Sequence, residues 1–244
     1  MIGKIKKIIL DTLFPVICLG CRKNDCWLCE ECFRGIPLRR EQICPACENK
    51  TTVSGFLCIS CQTGRKFLLD ALISSVSYEN QNVKKMVHYF KYRFVFSLSE
   101  PLARLQTKAL LSHHIPLPRA IIPVPLHPRR LRWRGFNQAL LLAEYISQNL
   151  APPLKIPVLD ILERRKYNKP QMELGNYQDR LENVRNLFKM RSGAVFDNIK
   201  GKTVYLIDDI ATTGATLEEC AKTLKESGVK KVIAVVIARQ TLKK

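Results

Sequence analysis

Apolar positions along the chain fall into short continuous runs separated by stripes at helical spacing. Runs of strand length occur at Leu69–Tyr78, Ala120–Val124, Val204–Ile207 and Val232–Ala238. In the first, Ala71 and Ile73 share one face and Leu72 and Val76 the other. Stripes predict helices between the runs. Val83, Met86, Val87 and Phe90 form one over Asn82–Tyr92. A second helix, capped by Ser97 or Ser99, runs to about Leu111. Ala139, Leu140, Ala143 and Ile146 mark a third; Leu217, Cys220, Ala221 and Leu224 mark a fourth, which Gly228 is placed to end. Strand-loop-helix order recurs at Ala120 and Val204. The predicted fold class is therefore α/β, a mostly parallel sheet with helices on both faces.

The start of the chain reads differently. Ile5, Ile8, Ile9 and Leu13 lie at helical spacing among lysines, which suits either a membrane-surface helix or one packed on its own protein. Eight of the ten cysteines then form Cys-x-x-Cys pairs: Cys18/Cys21, Cys29/Cys32, Cys44/Cys47 and Cys58/Cys61. The segment is too poor in large apolar residues to bury a core unaided, and small domains of this kind need a staple such as metal. In a reducing compartment such pairs are metal knuckles rather than disulfides. Thiolates suit tetrahedral Zn²⁺, two from each knuckle. Sequential pairing gives one site from Cys18, Cys21, Cys29 and Cys32 and a second from Cys44, Cys47, Cys58 and Cys61; crossed pairing, first knuckle with third, stays open. One or two structural zinc ions are expected. Cys26 is a spare thiol, and Cys220 belongs to a core. With the boundary at Gly64-Arg-Lys66, residues 1–64 form an N-terminal helix and zinc module, and 65–244 the α/β domain.

Charge narrows the partners. The 244-residue chain carries a net charge of +19, with 46% hydrophobic residues, enough for a real core. The charge favours nucleotides, nucleic acid or an acidic membrane surface. No apolar run approaches a membrane span. Asp11 interrupts the early apolar run and no signal-cleavage pattern follows, so a cytoplasmic place is expected, with peripheral attachment at the inner membrane open. Pro125–Phe136 reads as a loop carrying Arg129, Arg130, Arg132 and Arg134 at a strand's C-terminal end. Arginine forks match phosphate oxygens, of a pyrophosphate or of a nucleic acid stacked on Trp133. Glu163–Phe188, with Arg164, Arg165, Lys166, Gln171, Arg180 and Asn183, is long and polar, as lids are. His88, His113 and His114 read as surface or partly buried side chains.

The most chemical stretch is Val204–Thr216. An apolar strand runs into adjacent acids, Asp208 and Asp209, then into Ala211, Thr212, Thr213, Gly214, Ala215 and Thr216 at a helix start. A helix N-terminus has unpaired N–H groups and partial positive charge, and small residues let a phosphate approach it. Ionised carboxylates only accept, so they suit ribose hydroxyls or hydrated Mg²⁺. Neither a Walker A loop nor the dinucleotide glycine pattern is present. Leu206–Thr216 resembles the phosphoribosyl pyrophosphate (PRPP) motif of type I phosphoribosyltransferases. The resemblance implies Asp208 and Asp209 as the catalytic acids on the ribose diol, with Mg²⁺, and Ala211–Thr216 on the 5′-phosphate. Purine-salvage members often carry an acid where Thr212 stands, which argues against a hypoxanthine or guanine enzyme.

Pro123-Val-Pro-Leu-His-Pro, Arg132-Trp-Arg-Gly-Phe-Asn-Gln138, Pro170-Gln171, Arg180, Asn183 and the loop ending at Thr216 together resemble the ComF family. The resemblance runs from about Pro15 to Arg239. It implies a zinc module joined to a phosphoribosyltransferase-like domain. It further implies a role in natural competence, moving single-stranded DNA across the inner membrane with a helicase-like partner and other DNA-processing proteins. Knuckles in that family are often followed by glycine, whereas Arg22 and Glu48 stand here. The acceptor of any transfer is unassigned, and no general base for it is visible. A non-catalytic nucleic-acid-binding or PRPP-sensing factor, or a nucleobase-salvage enzyme, are the alternative readings.

Overall fold

In the computed structural model of the chain, the described residues are 16–64, 67–165, 187–192 and 197–240. The cysteine-bearing segment holds only short elements: α1 (Glu30–Arg34), β1 (Gln42–Ile43), β2 (Thr51–Thr52) and α2 (Ile59–Thr63). The chain then runs through β3 (Ala71–Ser77), α3 (Gln81–Tyr92), α4 (Ser99–Ser112), β4 (Ala120–Pro123), α5 (Pro128–Arg134) and α6 (Gln138–Asn149). It ends with β5 (Leu162–Arg164), β6 (Phe188–Met190), β7 (Thr203–Ile207), β8 (Ile210–Ala211), α7 (Ala215–Glu226) and β9 (Lys231–Arg239). Strands β3, β9, β7 and β4 lie side by side in that order, all parallel, and β8 continues alongside β9.

Side chains alternate across a strand, so a sheet with two apolar faces needs cover on both. Ile73, Ile121, Tyr205, Ile207, Ile233 and Val235 enter one core, where α3, α4 and α6 contribute Val83, Met86, Phe90, Leu102, Leu105, Leu142 and Ile146. Leu72, Ile122, Val204, Leu206, Val232 and Ala234 enter the other, covered by Leu217, Cys220, Ala221 and Leu224 of α7. The expected α/β class, with helices on both faces, is the observed one, and Cys220 is core.

Both edges of the sheet are closed. Beside β4, Ile121 N–H donates to Pro157 O at 2.8 Å and Leu159 N–H to Ile121 O at 2.9 Å. Beside β3, the cysteine segment does the work. Leu38 bridges Val76, and Arg39 N–H donates to Ser75 O at 2.8 Å. The Gln42 side-chain amide then pairs like a strand: Nε2 donates to Ser74 O at 3.1 Å, and Oε1 accepts from Ser74 N–H at 2.9 Å. At Gly55 the approach is so close that a Cβ would lie 2.2 Å from Leu72 O. Unpaired edges invite pairing with other chains, and this one is removed.

Four sequence expectations change. Val76 joins the core of Ala71 and Ile73 rather than that of Leu72, because Phe33, Ile36 and Leu38 fold over that end of the edge strand. On α6, Leu142 is buried in place of Leu140. Neither Ser97 nor Ser99 caps α4: a 3-10 turn, Phe96–Leu98, runs into the helix, and Ser99 N–H is met by Phe96 O. The arginine loop is largely helical. Proline suits the first turn, His127 accepts from Arg129 N–H, and Gly135 at φ 80 ends it. The N-terminal stripe at residues 2–14, the boundary residues 65–66 and most of the polar Glu163–Phe188 segment lie outside the described residues. The ends of that segment pair as the antiparallel ribbon β5–β6.

Candidate functional site

Parallel strands β4 and β7 are neighbours, so the loops that follow them meet at the C-terminal end of the sheet, where open α/β sheets hold ligands. The acids after β7 do not leave the sheet abruptly. Asp208 N–H donates to Val235 O at 3.1 Å and Ile237 N–H to Asp209 O at 2.9 Å, before pairing resumes as β8. Each carboxylate also accepts from the next residue's backbone: Asp209 N–H to Asp208 Oδ1 at 2.8 Å, and Ile210 N–H to Asp209 Oδ1 at 2.6 Å. From α4, the buried Gln106 amide donates to Asp208 O at 3.0 Å. The pair is thus fixed by its own strand and by the helix behind it.

A cation already faces it. Lys91 Nζ, from α3, stands 2.9 Å from Asp209 Oδ1. Burial pushes the Lys91 ammonium down, but the Asp209 carboxylate more than offsets this and holds it above its ordinary value. Burial, and then the Asp209 charge, raise Asp208 to about 7, with Lys91 opposing. So the compensation that two adjacent acids require is supplied within the protein, rather than by ligand or Mg²⁺ alone.

A cavity of about 300 Å³ opens over these groups. Asp208, Asp209, Lys91, Thr212 and Thr216 line it, together with Arg130, Arg134 and Arg164. Arg130 and Arg134 share a face of α5 because they are four residues apart. Arg129 and Arg132 are exposed and lie outside the cavity lining. Within the small-residue loop, Thr213 is buried and its Oγ1 accepts from Ala215 N–H at 3.3 Å. Gly214, at φ 75, occupies the cap position of α7, which has no capping side chain. Ala211 and Ala215 are buried beside it.

Lys91 and the other cavity residues of α3, among them Lys84, His88 and Tyr92, were not singled out as site residues from sequence. Their signal is the polar face opposite Val83, Met86 and Phe90, but nothing local says which loop that face meets. Arg164, which the sequence places in a polar lid, sits on β5 and reaches the cavity.

The cysteines form two groups, Cys18/Cys21/Cys29/Cys32 and Cys44/Cys47/Cys58/Cys61, with the sulfurs of each within 4.8 Å of one another. Sequential pairing is therefore the observed arrangement and crossed pairing is not. A tetrahedral ion about 2.3 Å from each sulfur would set the sulfurs roughly 3.8 Å apart. Cys21 and Cys29 lie 3.6 Å apart, and Cys47 and Cys58 3.9 Å. Backbone N–H groups of Cys29 and Cys58 point at Cys18 Sγ and Cys44 Sγ, each at 3.4 Å. Burial raises Cys18, but N–H donors from Cys29, Cys21 and Gly20 pull it to about 6. N–H donors from Asn49 and Lys50 bring Cys47 to about 6 against burial. Sharing protons with Cys29 and with Cys58 pushes Cys32 and Cys61 up to about 12. A divalent cation would remove that competition. The knuckle turns explain the residues after them. Arg22 and Glu48 sit at φ 66 and φ 58, the left-handed region that glycine enters most easily, and both still close their turns onto Cys18 O and Cys44 O.

Comparison with known proteins agrees with this geometry. The phosphoribosyl transferase domain family matches residues 137–243. Competence protein F of Haemophilus influenzae is 39% identical over 160 residues, 63% of this chain and 66% of that protein. Competence protein ComFC of Bacillus subtilis is 28% identical over 218 residues, 84% of this chain and 81% of that protein. Its namesake in Streptococcus pneumoniae is 29% identical over 218 residues, covering 89% and 90%. The chain is thus similar to the ComFC-like competence proteins over most of its length, with a phosphoribosyltransferase-type domain preceded by a cysteine-rich segment.

Proposed function

We propose that the chain binds PRPP, or a closely related ribose phosphate, in the cavity at the end of β7, and that it acts in the handling of single-stranded DNA during natural competence. One observation supports this above the others: two fixed carboxylates, two threonines at a helix start capped by glycine and three arginines share one cavity of about 300 Å³. Carboxylates accept ribose hydroxyls, the helix start takes a phosphate, and arginine forks take the pyrophosphate. In this reading Asp208 and Asp209 hold the diol, with Lys91 fixing Asp209 in place through its ion pair. Ala211–Thr216 hold the 5′-phosphate, and Arg130, Arg134 and Arg164 stabilise charge that develops on a leaving pyrophosphate. Asp208 and Asp209 are also the residues that would face Mg²⁺, whose contribution is to neutralise phosphate charge. The eight knuckle cysteines hold two Zn²⁺ ions in a module of residues 1–64, docked on the domain of residues 65–244. The test is calorimetric titration with PRPP, ribose 5-phosphate and pyrophosphate. Saturable binding of PRPP, tighter than of either fragment, is expected. No binding of any of the three removes the reading.

A second feature favours DNA at the rim of the same cavity. Trp133 is 59% exposed, and Phe94 packs edge-on against it at 5.0 Å. The Arg134 guanidinium lies 6.0 Å from the ring centre of Trp133 and 5.8 Å from that of the cavity residue Tyr92. Exposed rings among arginines are a stacking surface for bases. Arg129 and Arg132, turned outward, supply the phosphate contacts. The helicase-like partner and the place of action at the inner membrane follow from the competence reading alone. Among the described residues, no helix is long and apolar enough to cross a membrane.

A further inference from the structure

The second cysteine cluster reaches the sheet through one side chain. Glu48 follows Cys47 at a position where glycine would be easiest, yet it carries a carboxylate whose Oε1 meets Arg239 Nη2 at 2.6 Å. The same Nη2 donates to the carbonyl of Pro45, the residue after Cys44, at 3.2 Å. The Arg239 side chain is only 1% exposed, and its Nε and Nη1 find no acceptor among the described residues. A buried guanidinium with two N–H groups unmet is unfavourable unless anionic groups stand close by. Through Pro45, the residue after Cys44, the guanidinium stands beside the cluster, and four thiolates on one divalent ion would leave a net negative charge there.

The backbone of the same residue belongs to the candidate site. β8 pairs with β9 at Ala211 and Arg239, and Gln240 N–H donates to Ala211 O at 2.8 Å. Ala211 opens the small-residue loop, and Gln240 lines the cavity. Arg239 therefore has its side chain on the cysteine cluster and its backbone on the strand that carries the loop. We propose that Arg239 is a positioning residue of the second cysteine cluster, balancing the charge of its thiolates, and that it ties metal occupancy there to ligand binding at the 211–216 loop. The tie rests on the ribose-phosphate reading; the anchoring of the cluster does not. A coupling of this kind is reciprocal, so bound ligand slows metal loss and bound metal tightens the ligand.

The experiment uses the full chain loaded with cadmium-113, in which two sulfur-ligated sites give two resonances, the second assigned with Cys61→Ser. Metal loss to excess chelator is timed for wild type, Glu48→Gln and Arg239→Gln, and PRPP affinity is measured calorimetrically on the same samples. Outer-shell partners of metal ligands typically contribute about 10–100-fold in affinity. The second resonance is expected to decay about 10-fold faster or more in both variants while the first changes by less than about twofold. PRPP affinity is expected to weaken alongside. If Arg239→Gln fails to fold, Glu48→Gln, on a partly exposed side chain, decides. Second-site retention equal to wild type overturns the anchoring. Faster loss with unchanged PRPP affinity overturns the tie. A wild-type chain that binds no PRPP overturns the ribose-phosphate reading and the tie together, and the cadmium decay still decides the anchoring.

Discussion

Lys91 alters what the adjacent aspartates mean. Two carboxylates at a strand end repel, and from the sequence a ligand is the natural source of compensation. The ammonium 2.9 Å from Asp209 supplies it permanently, so the two acids are not equivalent. Removing Asp209 would leave a mostly buried lysine unpaired. Asp208→Asn is the cleaner probe. Its carboxyl sits at about 7 in the folded chain against about 3.9 in an unfolded one. Between those values the folded form keeps a proton that the unfolded chain has lost, so ionising Asp208 removes stability as pH rises from about 4 to about 7. The stability gain from Asp208→Asn should therefore grow over that window and level off above it, on the order of 2–4 kcal/mol at pH 8. Urea unfolding of both proteins from pH 4 to 9 checks this, and a gain independent of pH would contradict it. Lys91→Met should do the reverse, destabilising by roughly 2–4 kcal/mol as a broken, largely buried pair does. The acids and small-residue loop were legible because their meaning is carried by neighbouring residues in sequence. Lys91 was not, since its role depends on where α3 docks. A different local constraint sits at Gly20, where a Cβ would lie 2.6 Å from Cys32 Sγ. Gly20→Ala should displace that sulfur and lower the metal content below that of wild type by about one ion per chain, by elemental analysis; metal content equal to wild type would contradict it.

At the level of elements, the cysteine segment is the edge cover of β3 as well as the carrier of both cysteine clusters. Gln42, 2% exposed, gives β3 a pair of hydrogen bonds that a neighbouring strand would otherwise give. Metal affinity in such segments is folding free energy. Removing metal should therefore loosen Leu38–Ile43 and expose the Ser74 amide while β7 and β9 stay protected. Hydrogen exchange with and without chelator reads this, and unchanged protection of Ser74 would show that the cover folds without metal. Strands and stripes were legible wherever the apolar period was long and both faces were covered. Val76 was misplaced because alternation describes an isolated strand, whereas here a segment distant in sequence folds over one end. The arginine stretch looks like a loop in sequence because charge masks its helix. Pro128 and Gly135, at its two ends, were the available signals. The knuckles gave the ligands, and the turn at φ 58 shows why glycine was not required: Glu48 uses that position to reach Arg239.

Over the whole molecule, whose net charge is +19, arginines near the cavity present two kinds of surface. Arg130, Arg134 and Arg164 face a confined cavity, while Arg129 and Arg132 face solvent beside the exposed rings of Trp133 and Phe94. Arg129→Glu with Arg132→Glu should weaken binding of an oligothymidylate about tenfold or more and flatten its salt dependence, while PRPP affinity stays within about twofold. Equal loss of both ligands would mean the two surfaces are one. Everything in the proposed function turns on the carboxylate pair at the end of β7 holding a ribose phosphate. Calorimetric titration of PRPP into wild type and Asp208→Asn, with Mg²⁺ at pH 8 where Asp208 is ionised, tests it most directly. Loss of a charge-assisted hydrogen bond is worth about 1.5–3 kcal/mol, so PRPP should bind the variant at least about tenfold more weakly while the variant melts higher than wild type. Wild-type PRPP affinity in a variant that folds and melts as expected would place the ligand elsewhere.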